Sequence, residues 1–305
     1  MRKFILKIAL IISPVLLWGL IVVLVDPFCY FNYSLINKEA KSSAESLNTL
    51  MFRTLDYMKE PSENIILGDS RTKALPIELV SQLTNKKWRK LNTNAAKLNE
   101  IFDLFYMANE HLKLKNVIIG INFNMFNEYG YMDRVSGLKK MQNNPLMYVY
   151  NKDVAEATYY TIKDFFLRKE LKSTPSKSKD EFWEWNISTK ATHWYGRYKF
   201  PNTLRSELIA FDKFTKKNNI NVIFIITPHH QDFHERIVHF GLEEEEQRFK
   251  KTMFNLNAKV YDYDFKNEVT RDKSNFLDPV HYNDSIGELI INEIFNDDLK
   301  VGFTK

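Results

Sequence analysis

The chain of 305 residues is predicted to fold as a three-layer α/β sandwich with a parallel sheet, preceded by one transmembrane helix. Two observations predict this fold class. Short apolar runs alternate with amphipathic helical stretches along most of the chain, which is typical of a parallel sheet covered by helices on both faces. A separate, uninterrupted apolar run lies at the N-terminus, before the first alternating segment.

The composition indicates a folded protein with a sizeable core, since 44% of the residues are hydrophobic and 14% are aromatic. The net charge of +5 is modest. Lys and Arg are scattered along the chain instead of being concentrated in one segment, so a nucleic-acid-binding protein is not predicted. Cys29 is the single cysteine of the sequence, which excludes an internal disulfide and a zinc site built from several cysteines.

The N-terminal apolar run predicts a membrane anchor. It extends from Ile8 to Val25 and, with the apolar residues just before it, is long enough to cross a bilayer core. The basic residues Arg2, Lys3 and Lys7 precede the run, and an acid follows it. This bias places the N-terminus in the cytoplasm and the remainder outside. A cleaved signal peptide is the alternative, but such a peptide usually has a shorter apolar core and a small-residue cleavage site.

Three parts of the chain are expected. Residues 1–26 form the cytoplasmic N-terminus and the anchor, and residues 27–60 form a polar stalk or an early helix. Residues 61–300 form an extracytoplasmic domain, interrupted by an insert at about 127–199. The insert is too long for a simple crossover between two strands. It contains a polar spacer at residues 172–180 and an aromatic cluster that predicts either the core of a lid or a glycan-binding groove: Trp183, Trp185, Trp194 and Tyr195.

The elements of the sheet domain follow from hydrophobic periodicity. Strands are expected within residues 62–70, 87–96, 115–126, 220–228 and 258–265. Helices are expected within residues 75–84, 98–112, 153–171, 201–219, 243–257 and 284–295. In the second of these helices, Ile101, Leu104 and Phe105 share one stripe. Asp284 or Ser285 is expected to be the N-cap of the last helix.

Polar residues follow several of the predicted strands. Ser70 ends the sequence GDS after the first strand, and Asn122 ends the sequence GIN after the third. Asp278 and His281 lie in the sequence DPVH, just before the last helix. Because ligands bind at the carboxyl ends of strands in an open parallel sheet, these residues are candidates for one common site.

In their order and placement the three blocks resemble those of the SGNH, or GDSL-like, hydrolases. The resemblance covers roughly residues 62–123 and 220–297. It implies that Ser70 is a nucleophile, that His281 accepts its proton and that Asp278 orients the imidazole. A serine hydroxyl needs such a base, and an acid that holds the base in the correct tautomer.

The resemblance also implies an oxyanion hole. The backbone N–H of Ser70 and the side chain of Asn122 are its expected donors. The family usually has a glycine N–H as a third donor, in a block after the second strand. This chain has NTNAAK there. Asn94, Ala95 or Ala96 is therefore expected to present the third N–H, with Asn94 as the first choice.

Three further residues near these blocks are candidates for substrate binding: Arg71, His229 and His230. Arg71 is expected either to bind an anionic substrate group or to form a structural ion pair. His230 and His234 have the i, i+4 spacing of two metal ligands on a helix. They lack an intervening Glu and an obvious third carboxylate ligand, so no metal is predicted. No cofactor is predicted either.

Combined with the anchor, the resemblance implies a serine acyltransferase or esterase at the bacterial cell membrane, acting on O-acyl groups of surface polysaccharide or cell-wall glycan. Its expected partners are a glycan acceptor and an acyl donor supplied through a multi-pass membrane acyltransferase. This functional inference is an analogy at the level of the fold. The alternatives are a simple deacetylase or lipid esterase, and a catalytically inactive protein that binds glycan or scaffolds a polysaccharide synthesis complex.

Overall fold

The computed structural model describes residues 1–31, 33–167 and 178–304. The described residues form two compact units, one built from residues 1–60 with 134–167 and the other from residues 61–133 with 178–304. Most of the predicted polar spacer, residues 172–177, lies outside the described residues, as do residues 168–171 of the predicted helix before it. The expected division into anchor, stalk and catalytic domain stays a prediction.

In chain order, the α-helices are α1 (Arg2–Val25), α2 (Ser42–Leu47), α3 (Thr49–Lys59), α4 (Ile77–Thr84), α5 (Leu98–His111), α6 (Val135–Gln142), α7 (Pro145–Val149), α8 (Lys152–Leu167), α9 (Lys179–Trp185), α10 (Ala191–Tyr195), α11 (Asn202–Lys217), α12 (Gln231–His239), α13 (Glu243–Phe254), α14 (Glu268–Arg271) and α15 (Asp284–Asn296). The strands are β1 (Asn64–Leu67), β2 (Arg89–Lys90), β3 (Asn116–Ile121), β4 (Asn221–Ile226), β5 (Lys259–Asp262), β6 (Phe276–Asp278), β7 (His281–Tyr282) and β8 (Phe303–Thr304).

The first unit is helical. Within α1, residues Leu6–Val25 are long and apolar enough to cross a membrane, a test that a signal sequence also meets. The stretch expected as a stalk or an early helix folds into the helices α2 and α3. Asn48 caps α3 by accepting a hydrogen bond from the backbone N–H of Met51.

The second unit contains a six-stranded sheet with the order β2-β1-β3-β4-β5-β8. The first five strands are parallel, whereas β8 pairs antiparallel with β5. The predicted α/β class is confirmed, with an antiparallel edge strand that was not predicted. The order of the five parallel strands is the flavodoxin-like one, whose switch point lies between β1 and β3. Ser70 and Asn122 follow these two strands.

Helices cover both faces of the sheet, which makes three layers. On one face Ile66, Ile118 and Ile223, paired across three neighbouring strands, pack with apolar residues of α4 and α15. On the other face Phe211 of α11 stacks on Phe102 of α5 at 4.8 Å between ring centroids. The buried strands carry apolar side chains on both faces, as strands between two helical layers must.

Two local predictions differ from the structure. The predicted strand within residues 87–96 is reduced to the two residues of β2. The N-cap of α15 is Asn283, not Asp284 or Ser285, because Asn283 is the last residue with extended backbone angles. Its side chain accepts a hydrogen bond from the N–H of Ile286 at 3.1 Å.

Candidate active site

The turn after β1 is shaped by two glycines. Gly68 has φ +145°, a conformation that side chains rarely adopt, and a Cβ at Gly68 would lie 2.5 Å from Cγ2 of Thr72. A Cβ at Gly120, near the end of β3, would lie 2.1 Å from the same methyl group. Thr72 also donates a hydrogen bond to the carbonyl of Asp69 at 2.8 Å. The turn that carries Ser70 therefore lies closely against the end of the neighbouring strand.

Ser70, His281 and Asp278 form one hydrogen-bonded chain. Oγ of Ser70 lies 2.8 Å from Nε2 of His281, and Nδ1 of His281 lies 2.7 Å from Oδ2 of Asp278. An ionised carboxylate only accepts hydrogen bonds, so Nδ1 carries the proton and Nε2 is left to accept from the serine. The second oxygen of Asp278 accepts from the N–H of Val280 and of His281, at 2.9 Å and 3.1 Å.

The antiparallel pair β6–β7 holds the acid and the base together, since Asp278 and His281 are paired residues in its register. Burial disfavours the charged form of Asp278, but hydrogen bonding and the charge of His281 lower the pKa of this carboxyl below its ordinary value. Lys190 of the aromatic insert also favours the ionised form of Asp278. Asp278 is therefore ionised at neutral pH, as a residue that orients a base requires.

Asn122 occupies the switch point and is 1% exposed. Its Nδ2 donates to the carbonyl of Thr227 at 2.6 Å, and its Oδ1 accepts from Oγ1 of Thr227 at 2.5 Å. Because a side-chain amide has two hydrogens, these two bonds fix the orientation of the Asn122 amide and leave its second hydrogen to donate elsewhere.

The backbone N–H of Ser70 is the other expected oxyanion donor. Ser70 begins the helical turn Ser70–Ala74. The first N–H groups of a helix have no partner within it.

The third oxyanion donor stays a prediction. Asn94 and Ala95 form an exposed turn after β2, in which Ala95 has φ +52°. The N–H of Ala96 donates to the carbonyl of Thr93 at 3.4 Å. In the same segment Asn92 is buried and donates to the carbonyl of Asp69 at 3.4 Å.

Arg71 forms the structural ion pair and is not available to an anionic substrate group, which corrects its assignment as a substrate-binding residue. It is 2% exposed. Its Nε and Nη2 donate to the two carboxylate oxygens of Asp69, at 3.0 Å and 2.6 Å. Its Nη1 lies 3.0 Å from Oδ1 of Asn124 and 2.6 Å from Nε2 of His229. The planar guanidinium thereby links the turn after β1 to the ends of β3 and β4.

His229 extends this network to Asp264. Arginine can only donate, so Nε2 of His229 accepts from Arg71 and Nδ1 carries the proton. Nδ1 donates to Oδ2 of Asp264 at 3.0 Å, and the backbone N–H of His229 donates to Oδ1 at 2.9 Å. Burial lowers the pKa of His229, which keeps the ring neutral. The ring is 1% exposed, so the expectation that His229 contacts substrate is corrected. Asp264 was missed, although it lies two residues after the end of β5.

A pH-dependent stability is expected from His229. Because its pKa is lowered in the folded state, the unfolded chain binds this proton first as the pH falls below about 6.5. The free energy of unfolding should therefore decrease on acidification, by up to about 1.4 kcal/mol per pH unit for one proton. Denaturant unfolding of the full-length protein in detergent at several pH values between about 7.5 and 5 measures this slope.

Two variants test the assignment to His229. His229→Gln should have a smaller slope than the wild type, whereas His239→Gln, a change of an exposed histidine on α12, should not differ from it. Equal slopes in the wild type and the His229→Gln protein would contradict the assignment.

His230 is also buried, and its role is structural where substrate contact was expected. It is 3% exposed and packs edge-on against Trp183 with 4.9 Å between ring centroids.

Among the described residues, one cluster has side chains of the types that bind metals. It consists of His234, Glu246 and Asp264, whose potential ligand atoms lie within 4.8 Å of one another. The ammonium of Lys250 lies 3.6 Å from Glu246 and supplies positive charge there.

The aromatic residues of the insert divide into two groups. Some are buried in the core, and one lies beside the candidate site. Trp183 and Tyr195 are each 2% exposed and belong to the core. Trp194 is half-buried, with the guanidinium of Arg71 5.7 Å and the ammonium of Lys190 5.0 Å from its ring centroid. Cations over an indole ring are attracted to its face. Trp194 is therefore the member of the cluster that lies beside the Ser70 turn.

A cavity of about 1020 Å³ lies beside Arg71, and Ser70, Asn122 and His281 are not among the residues that line it. Its wall includes Asn124 and Trp194, which both contact Arg71, the residue that follows Ser70. Three cations line it: Lys97, Arg197 and Lys199. Among the described residues that line the cavity there is no carboxylate. The space next to the Ser70 turn is thus large, aromatic on one side and positively charged.

No protein-family model and no curated protein matches this chain. Among solved structures, it is similar to a protein provisionally described as an SGNH hydrolase from Slackia heliotrinireducens, with 10% identity, a TM-score of 0.38 and coverage of 76% of this chain and 96% of that one. A catalytic mutant of an acetylxylan esterase from Geobacillus stearothermophilus shows 9% identity and a TM-score of 0.37, over 78% of this chain and 94% of that one. At these identities and TM-scores, neither the fold nor the chemistry of this chain is inferred from such neighbours.

Proposed function

We propose that the protein is a serine esterase or acyltransferase that works through an acyl-enzyme on Ser70. The observation that carries this proposal is the unbroken hydrogen-bonded chain from Oγ of Ser70 through His281 to Asp278. Such a chain combines a nucleophile, a base in the required tautomer and an acid that stabilises the protonated base.

In the first step, Oγ of Ser70 attacks the carbonyl carbon of an ester while its proton moves to Nε2 of His281. The resulting oxyanion accepts hydrogen bonds from the N–H of Ser70 and the side-chain amide of Asn122. His281 then gives the proton to the departing alcohol, which leaves an acyl group on Ser70. In the second step, a hydroxyl of water or of a sugar loses its proton to His281 and attacks the acyl-enzyme. The acyl product leaves as His281 returns the proton to Oγ of Ser70, which restores the free serine.

The proposed acceptor is a surface polysaccharide or cell-wall glycan. The cavity supports this choice, because Trp194 lies in its wall and the space is larger than a small ester needs. Its cations, Arg197 and Lys199 among them, favour a glycan that carries negative charge. In this proposal α1 is an uncleaved anchor with a cytoplasmic N-terminus, and a multi-pass membrane acyltransferase supplies the acyl group.

The test uses the full-length protein in detergent with p-nitrophenyl acetate as the acyl donor. Rapid acid quenching followed by peptide mass spectrometry should find one acetyl group on the peptide that contains Ser70. Addition of hexagalacturonate, an anionic oligosaccharide, should divert more acetyl from water to sugar than the neutral maltohexaose does.

The two parts of this test fail separately. A protein that neither hydrolyses the ester nor acquires acetyl at Ser70 would refute the enzyme and favour the inactive glycan-binding or scaffolding alternative. Acetylation of Ser70 with release to water alone, whichever sugar is present, would keep the esterase and refute the transferase.

A further inference from the structure

The helix α1 is exposed over only part of its length. Its described side chains are mostly exposed as far as Leu20, which is 53% exposed, whereas Gly19, Val22 and Val25 are buried within the first unit. The exposed part of the apolar span, residues 6–20, extends over about 22 Å at 1.5 Å per residue. A bilayer core is about 30 Å thick. If α1 crosses a membrane, the protein surface around its C-terminal third must therefore meet the outer part of the bilayer.

Besides α8, two segments of the first unit contact α1, one at Val15 and Gly19 and the other at Leu24. Oη of Tyr150, directly after α7, donates to the carbonyl of Val15 at 3.4 Å. A Cβ at Gly19 would lie 3.2 Å from the same hydroxyl oxygen, so the glycine permits this close approach. On another part of α1, the N–H of Leu35 donates to the carbonyl of Leu24 at 2.8 Å. All these contacts fall within the apolar span Leu6–Val25.

The same two segments expose apolar and aromatic side chains. We call these residues the collar: Tyr33, Leu35, Leu146, Met147 and Tyr150. Their exposed fractions range from 44% at Met147 to 69% at Leu146. Exposed apolar side chains in segments that flank a candidate membrane span indicate an interaction surface.

We propose that the collar lies in the outer interface of the membrane, with α7 as a short interfacial helix beside α1. This inference rests on the proposed role of α1 as an uncleaved anchor. Apolar side chains of interfacial helices reach about 5–10 Å below the headgroups, which is enough to cover the roughly 8 Å by which the exposed part of α1 falls short. Tyr33 suits this interface because its ring is apolar and its hydroxyl is polar. The collar therefore holds the first unit at a set depth.

The experiment measures lipid contact directly. Full-length protein with Cys29→Ser and Met147→Cys is labelled with a fluorophore and placed in phosphatidylcholine vesicles that contain a nitroxide lipid. Fluorescence at position 147 should be quenched several-fold more than in a matched Cys29→Ser, Val238→Cys protein, since Val238 is an exposed apolar residue of α12 in the second unit. If Cys29→Ser prevents folding, Cys29 is retained in both proteins. The wild-type protein, labelled in the same way, then gives the signal from Cys29 that is subtracted.

Quenching at position 147 that is no greater than at position 238 would refute the collar and favour a partner protein on that surface. A chain that lacks α1 after expression, and no longer sediments with vesicles, would refute the anchor and the collar together. The readout does not depend on turnover. Loss of the proposed esterase activity would therefore leave this result unchanged.

Discussion

Replacement of Ser70 by alanine is expected to lower ester hydrolysis by about 10⁴-fold or more, because Nε2 of His281 then has no hydroxyl to activate. Ser70 is half-buried, and the bond of its hydroxyl is to His281. Removal of this hydroxyl should therefore leave the fold intact. Initial rates with p-nitrophenyl acetate, measured on the full-length protein in detergent, give the size of the loss.

Ser206→Ala is the matched control, since it removes the hydroxyl of an exposed serine on α11. It should hydrolyse the ester at the wild-type rate. Both variants should unfold at the wild-type temperature. Equal rates in the Ser70→Ala and wild-type proteins would show that the hydrolysis does not pass through Ser70, and the proposed mechanism would be abandoned.

The change Gly120→Ala is expected to reduce the free energy of unfolding by about 3 kcal/mol, as overpacking of a tight core does. The new methyl group would lie 2.1 Å from Cγ2 of Thr72, in a central strand that has little freedom to shift. Ester hydrolysis should fall as well, because Thr72 belongs to the turn that positions Ser70. Thermal and denaturant unfolding of the full-length protein measure the change in stability.

A second substitution tests the stated cause. Thr72→Ser removes the obstructing methyl group and keeps a hydroxyl for the bond to the carbonyl of Asp69. The double variant Gly120→Ala, Thr72→Ser should therefore be more stable than Gly120→Ala alone. Gly137→Ala is the control, since a Cβ there meets nothing within 4 Å and alanine suits the interior of α6. If Gly120→Ala and Gly137→Ala had the same effect, close packing against Thr72 would not be the reason for glycine at position 120.

The network of Asp69, Arg71, His229 and Asp264 lies immediately behind the Ser70 turn. It joins residues that follow β1, β4 and β5, which are separated by long stretches of sequence. Each buried charge in it has a partner of opposite sign or a hydrogen bond, as buried ions require. The geometry of this network indicates that it holds the Ser70 turn in place. The neighbouring cavity with Trp194 is the proposed place of substrate contact.

The α/β class and the position of the candidate site could both be predicted from the amino-acid sequence. Hydrophobic periodicity is a local signal, so it marked β1, β3 and β4 and the helices between them. The carboxyl ends of parallel strands meet at one edge, so Ser70 and Asn122 could be placed together before any geometry was known. Asp278 and His281 are three residues apart, and their approach needs only a tight turn.

The roles of Arg71, His229 and Asp264 became clear only from the packing of the folded chain. Arg71 is charged and follows the candidate nucleophile, so the sequence left substrate binding and a structural ion pair equally open. The choice depends on burial and on the bond between Arg71 and His229, 158 positions away. Contacts of that kind are set by how strands order and helices pack, and no local pattern records them. The different positions of two tryptophans could not be predicted for the same reason. Trp183 lies in the core, whereas Trp194 lies beside the site.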